Sequence, residues 1–475
     1  MSGRTETETP RPDGFRGVMR DIRDALGGTR HDYTRGDIGR AIFLLAIPMV
    51  LEMVMESLFA LSDVFFVARV GASAVATVGL TESMMIVVYT LAMGLAISGT
   101  AVVARRIGEK NADGAARAAV QVILLGAVIA TMLAVAGALM APQLLRAMGA
   151  SDDVLVTGTT FTRVMLGGSV TAFLLFVVNA AFRGAGDAAV SMRVLWLANG
   201  INIVLGPVLI FGLGPFPAMG VTGAAVATTI GRGTGLMFAL SRLMRGSGHL
   251  RVQRHHLVIE LRTMASMLRM SVNGTFQVLV GSLSWIVLVR LMATFGSAAM
   301  AGYTIAVRMV MFAMLPAWGL GNAAATMVGQ ALGAKDPDRA ERAVWTAARY
   351  NVAFLGLMGL GFALFARSIV HGFTNDAAVT DVAVFGLRAM AVGFPLFAFG
   401  MVLTQSFNGA GDTATPTRIN IGVFWLFELP LAWLLTRFSA MGAHAVFVSI
   451  TAAYSMLAGV SWVMFRRGSW RSRHV

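Results

Sequence analysis

The sequence contains no cysteine, which excludes disulfides, thiolate metal ligands and thiol chemistry. It is also poor in charge: 13% of its 475 residues are Asp, Glu, Lys or Arg, where a soluble chain carries about a quarter. Lys110 and Lys335 are its only lysines, so its positive charge is almost wholly arginine. A Gly-rich phosphate loop, a metal-ligand cluster and a nucleophile–base pair are all missing, and the seven histidines lie mostly in loops and tails. ATP-driven transport and enzymatic catalysis therefore find no residues to rest on, and no cofactor or metal centre is expected. The first 40 residues are polar and offer no apolar core for a cleavable signal.

What the sequence does have is apolar length. Hydrophobic residues make up 56% of it and the mean hydropathy is +0.72. Apolar runs of about 20 residues recur throughout, as in helices that cross a lipid bilayer. The fold class implied is an all-α polytopic membrane protein. Twelve spans are predicted, roughly at 41–68, 75–104, 116–142, 154–182, 190–213, 220–245, 266–294, 298–331, 341–369, 379–408, 416–437 and 441–465. The net charge of +14 sits in alternate loops, through residues such as Arg105, Arg106, Lys110, Arg183, Arg193, Arg242, Arg251, Lys335 and Arg339. That placement follows the positive-inside rule and puts both termini in the cytoplasm. It is not a nucleic-acid surface, because no aromatic-interleaved basic stretch lies outside the spans.

The chain repeats itself. Gly71, Gly94, Gly108, Lys110, Asp113, Arg117, Arg163 and Arg193 each have a like residue 225 positions later, and "FRGAGD" at 182–187 returns as "FNGAGD" at 407–412. Two six-helix lobes follow, inserted with the same orientation and related by a pseudo-two-fold axis along the membrane normal. That is a recurrent transporter design with substrate bound between the halves. The organisation read from this is a cytoplasmic N-terminal tail (1–38), a first lobe (39–246), a cytoplasmic linker (247–263), a second lobe (264–467) and a short cytoplasmic tail (468–475). In both "GAGD" loops the glycines allow a tight turn, and Asp187 and Asp412 are expected to cap the next helix.

The first span carries "EMVMESLFALSD", with Glu52, Glu56 and Asp63. At about 100° per residue these fall within about 40° of one another, along about 16 Å of one helix face, and Phe59 shares that face. A carboxylate facing lipid costs several kcal/mol, so this face must look into protein or a wet cavity. Two explanations are open. The acids could be structural, paired with intramembrane arginines such as Arg290 or Arg308, or they could bind a proton or cation in exchange for substrate. The second lobe has no such stripe, since Leu288 stands 225 positions beyond Asp63. It offers Asn273 and Gln277, one turn apart, and Glu428 just before Pro430 as possible substrate contacts.

Taken together, "LAIPMVLEMVMESLFALSDVFFVARVG", "INIVLGPVLIFG", "GVTGAAVATTIGRG", "AWGLGNAAATMVGQALGAKDPDRAE" and "FNGAGDTATPT" resemble the MATE family, the multidrug and toxic compound extrusion transporters. The resemblance covers nearly all of the chain beyond residue 38. It implies two lobes around a central cleft and export of amphipathic or cationic small molecules against H+ or Na+, with no enzymatic activity, by a monomer in a bacterial cytoplasmic membrane. Within it, Asp63 matches the family's first-helix acid, Asn202 its helix-5 asparagine and Thr228 its helix-6 threonine. Two positions depart: Gly206 stands where the family has an aspartate, and Phe59 where it often has a tyrosine. Both departures remove oxygen groups from a cation site, so H+ is the expected coupling ion and Na+ the alternative. The ion-coupling set is then Asp63, Glu56, Glu52, Asn202 and Thr228, and the substrate-binding set Phe59, Asn273, Gln277 and Glu428. The rival functions are a lipid-linked precursor flippase of a related superfamily and a membrane scaffold that transports nothing.

Overall fold

The structure is a computed structural model that describes residues 15–28, 31–246 and 248–473. A short helix, α1 (Phe15–Gly27), precedes twelve long ones: α2 (Ile38–Ala68), α3 (Ala72–Gly108), α4 (Ala112–Ala147), α5 (Asp152–Ala185), α6 (Ala188–Phe211), α7 (Val221–Arg245), α8 (Leu261–Ala293), α9 (Ser297–Gly333), α10 (Pro337–His371), α11 (Ala377–Gly409), α12 (Ala414–Phe438) and α13 (His444–Arg466). Eleven of the long helices are apolar enough to cross a membrane by composition alone. The twelfth, α7, is diluted by glycine, threonine and Arg232. Short polar loops start the next helix at once. Asn111 accepts a hydrogen bond from the Gly114 amide at 2.8 Å and Asp336 from the Arg339 amide at 2.8 Å, each meeting one orphan donor of a helix start. Lys110 and Lys335 stand one residue before these caps and take left-handed backbone, at φ 57° and 60°.

Helices α2–α7 form one lobe and α8–α13 the other. Small residues let the lobes meet closely. A Cβ on Gly108 would lie 2.0 Å from the Gln330 carbonyl oxygen, and one on Gly333 would lie 2.2 Å from that of Arg105. Gly94 abuts the backbone of Ser271 and Thr275, and Gly319 that of Met49 and Val50. Each of these contacts maps onto the other after a shift of 225 residues, so the pseudo-two-fold axis runs between α3 and α9. Hydrogen bonds reinforce the same half of the molecule. Ser98 and Ser271 hydroxyls meet at 2.9 Å, Thr326 donates to the Arg183 carbonyl and Gln330 to that of Gly184. Toward the opposite end α2 packs on α6, and α2 and α8 hardly touch. A cleft therefore opens away from the end that carries the linker.

The linker end is strapped by both tails. Arg339 of α10, itself buried, donates to the carbonyls of Tyr33, Arg35 and Gly36, and Arg105 of α3 donates to the carbonyl of Arg473. Partial burial works against ionisation of Asp32, but hydrogen bonds from Lys110 and Thr34 outweigh it and hold the carboxyl down at about 2. The tail expected to be plain polar chain contains α1, whose Asp21 and Asp24 pair with Arg40 and whose last carbonyls accept from Arg193. A helix this short is hidden from a span-length search. Helix α8 starts at Leu261, inside the stretch read as linker. Asp412 accepts from the amide and hydroxyl of Thr415 as a cap does. Asp187 makes no cap bond; its carboxylate accepts from the His249 and Leu250 amides instead, because the linker brings those donors over it.

Gly108→Ala should wedge the lobes apart at the linker end, since the atom it strikes is backbone and overpacking costs about 1–3 kcal/mol. Spin labels on cysteines placed at Ala112 and Ala334 should report a longer distance than in the unsubstituted protein. An unchanged distance would show that the two glycines do not set the closure.

Candidate functional site

Helices α2 and α6 run parallel and side by side. Three bonds fix their register: Ser191 to Glu52 at 2.8 Å, the Trp196 indole to the Leu51 carbonyl at 3.1 Å, and Asn199 to Glu56 at 2.9 Å. This register separates the stripe into parts. Glu52 is 1% exposed and holds Arg183 at 2.7 Å as well as Ser191. That is a closed ion pair with a further hydrogen bond, bonded wholly within lobe 1. Its partner is neither Arg290 nor Arg308. Arg183 looked like a loop charge from its neighbours in sequence, but it lies in the last turn of α5.

Glu56 accepts from Asn199 and, at 3.4 Å, from Arg232 of α7. Arg232 is 6% exposed, and its guanidinium lies 5.5 Å from the centre of the Phe59 ring and 5.7 Å from that of Tyr89. Cation–π attraction thus supplements a single ion pair. Asp63, two turns beyond Glu56, has no hydrogen bond and no ion-pair partner among the described residues. It lies within electrostatic reach of Arg232 and of Glu82 on α3. Asn202 donates to Thr228 at 2.7 Å, and both are buried. The Glu56–Asn199 register, carried on by seven residues, sets Gly206 beside Asp63. Phe66 and Phe211 still meet, at 6.5 Å, near the far end. A Cβ on Gly206 would find only the Asn202 Oδ1, at 3.9 Å. Pro207 lies inside continuous α6 and does not break it.

The structure thus brings Glu56, Phe59, Asp63, Asn202 and Thr228 into one wall of lobe 1 and sets Glu52 apart. It adds Arg232, Glu82, Tyr89 and Asn199, which the sequence analysis missed. The signal for Arg232 and Glu82 was available, since each is an ionisable side chain inside a span. Glu56 and Asp63 lie within electrostatic reach of the one guanidinium, and Glu82, which is exposed, lies near Asp63. One charge balances one, so a carboxylate of this pair is left for a proton or a cation to neutralise.

In lobe 2, Asn273 and Gln277 are half-buried on α8. Their backbone carbonyls accept from Thr417 and Asn420, and the Gln277 Oε1 has no partner. Glu428 is 3% exposed and lies inside the lobe rather than on the cleft wall.

Two bundles of six helices about a pseudo-two-fold axis, with charges buried beside the cleft, define a secondary transporter. The MatE family model matches residues 48–208 and 275–434, one match in each lobe, and the chain belongs to that family of multidrug efflux transporters. It is 24% identical to the probable multidrug resistance protein NorM of Thermotoga maritima, over 92% of this chain and 94% of that one. It is 28% identical to the NorM of Caulobacter vibrioides, over 90% and 91%, and 24% identical to an FAD transporter of Shewanella oneidensis, over 85% and 90%. A crystal structure of MATE in complex with MaL6 superposes with a TM-score of 0.87 at 25% identity, over 93% of this chain and 99% of that one. A multidrug resistance MATE transporter in an outward-facing conformation gives 0.86 at 26%, over 93% and 98%.

The two kinds of acid should part in a stability measurement. Glu52→Gln leaves Arg183 buried without its counter-charge, a loss of about 3–5 kcal/mol, and should lower the unfolding midpoint of the purified protein. Asp63→Asn breaks no bond and should leave that midpoint in place. Equal destabilisation by both would make the whole stripe structural.

Proposed function

We propose that the protein exports cationic or amphipathic small molecules in exchange for H+, by alternating access of the cleft between its lobes. The observation that carries this is the surplus of carboxylates over guanidinium in the wall of lobe 1. A carboxyl group with a surplus charge and access to water can take up a proton from one side of the membrane and release it to the other. A cationic substrate can neutralise the same charge, which makes its binding and protonation mutually exclusive and so couples them. Asp63 and Glu56 are the exchanging groups; Asn202 and Thr228 support them. Phe59, Asn273 and Gln277 line the substrate's path.

H+ is favoured over Na+ because Gly206 and Phe59 supply no oxygen beside Asp63. The arginine-rich linker end is assigned to the cytoplasm, with both termini, by the positive-inside rule. The cleft then opens outward, and the protein works as a monomer in the cytoplasmic membrane of a bacterium. A flippase for lipid-linked anions would be better served by a cationic cleft, and this wall carries more acid than base.

The test is efflux of a cationic dye from vesicles under a pH gradient or a Na+ gradient imposed separately. The pH gradient should drive export, replacing Na+ by choline should change it little, and Asp63→Asn should nearly abolish it at unchanged protein level. A strict Na+ requirement, or wild-type rates in both Asp63→Asn and Glu56→Gln, would contradict the assignment. Gly206→Asp sets a second carboxylate beside Asp63, in space that is free, and should introduce a response to Na+. No response would show that the α2–α6 register does not bring these positions together.

A further inference from the structure

Lobe 2 holds a buried acid for which the exchange at Asp63 has no use. Glu428, Tyr303 of α9 and Tyr454 of α13 are 3%, 2% and 2% exposed and lie within electrostatic reach of one another. Both phenol hydroxyls lack a hydrogen-bond partner. Among the described residues, no guanidinium, ammonium or second carboxylate acts on Glu428 from any helix around it. The walls are apolar and aromatic: the Phe447 ring lies tilted 5.7 Å from that of Tyr303, and the Phe397 ring 4.7 Å from that of Tyr454. Three polar groups with no partner outside their own cluster are costly in such a place.

The backbone is unusual at this point too. Residues Ile421–Glu428 form a π-helical stretch, closed by the Leu429 amide on the Phe424 carbonyl. Pro430 follows and has no N–H to give the preceding turn. Wide turns of this kind inside α-helices gather at functional sites, because they re-aim a side chain. A similar bond ties the equivalent helices of the two lobes, four residues out of the 225-residue register. Trp425 donates to the Val280 carbonyl of α8 at 2.9 Å, as Trp196 donates to the Leu51 carbonyl of α2. Glu428 stands three residues beyond Trp425, and Asn199, the partner of Glu56, three beyond Trp196. Lobe 2 thus carries its acid on the helix that in lobe 1 carries the acid's partner.

We propose that Glu428, Tyr303 and Tyr454 form a second proton-binding site, inside lobe 2 and separate from the acidic wall of lobe 1. Loading adds one proton to a Glu428 carboxylate oxygen. The resulting O–H donates to one phenol oxygen, while a phenol O–H donates to the other carboxyl oxygen. Release returns the same proton to water, and no other bond changes. Coupling of this proton to export rests on the antiport proposed above; the site itself does not.

Infrared difference spectroscopy of the protein in bilayers reads the site without transport. A carbonyl stretch from a protonated carboxyl group should disappear in Glu428→Gln, persist in Asp63→Asn, and shift in frequency in Tyr303→Phe and in Tyr454→Phe. If Glu428→Gln does not fold, the two tyrosine variants carry the test alone. Spectra with no band that these substitutions move, or a band that Na+ removes at fixed pH, would overturn a proton site; the Na+ result would make it a cation site. A Glu428 band in a protein that pH gradients fail to drive would defeat the coupling and leave the site standing.

Discussion

A guanidinium in the interior of a membrane protein must be answered by other groups, and Arg232 organises lobe 1 around that need. It takes one carboxylate, Glu56, and two aromatic faces, Phe59 and Tyr89. Its position on α7 lowers the hydropathy of that helix below that of the other eleven and commits α7 to protein on several sides. It also fixes what remains. With Glu56 answered by Arg232, Asp63 keeps a charge that no hydrogen bond or ion pair among the described residues balances. The ion chemistry of the molecule follows from that imbalance.

The opposite half of the protein supplies a joint. Gly108 and Gly333 lie on each other's helices across the pseudo-two-fold axis, with no side chain to interdigitate. Bare backbone surfaces separate without unlocking packed side chains. The tails cross this joint, through Arg339 on one side and Arg105 on the other, so opening there must also release both straps. The Glu52–Arg183 pair is a different device. It is bonded within lobe 1, holds α2, α5 and α6 together, and lets the lobe move as one body.

Most of the architecture was legible in the sequence because its signals are long and redundant. Twelve apolar runs, alternate arginine-rich loops and a constant 225-residue spacing each give the same two lobes. The site was legible only along one helix. Helical periodicity set Glu52, Glu56 and Asp63 on one face, but it could not say which neighbour each would meet. The partner of Glu52 turned out to be an arginine whose nearest neighbours read as loop. Asp187 shows the same thing from the other side: a local rule made it a helix cap, and a linker passing overhead took its oxygens. Glu428 read as a possible substrate contact because it is an acid inside a span; it is buried, at the end of a π-helical stretch that no sequence period announces.

The central claim is that a proton and a cationic substrate compete for the surplus negative charge of lobe 1. Equilibrium binding of a monovalent cationic dye to the purified protein, measured against pH with no gradient, tests it most directly. One-for-one exchange predicts an affinity that weakens by about tenfold per pH unit once the site protonates, with protons released to a weakly buffered solution as dye binds. An affinity independent of pH, with no proton released, would contradict the account.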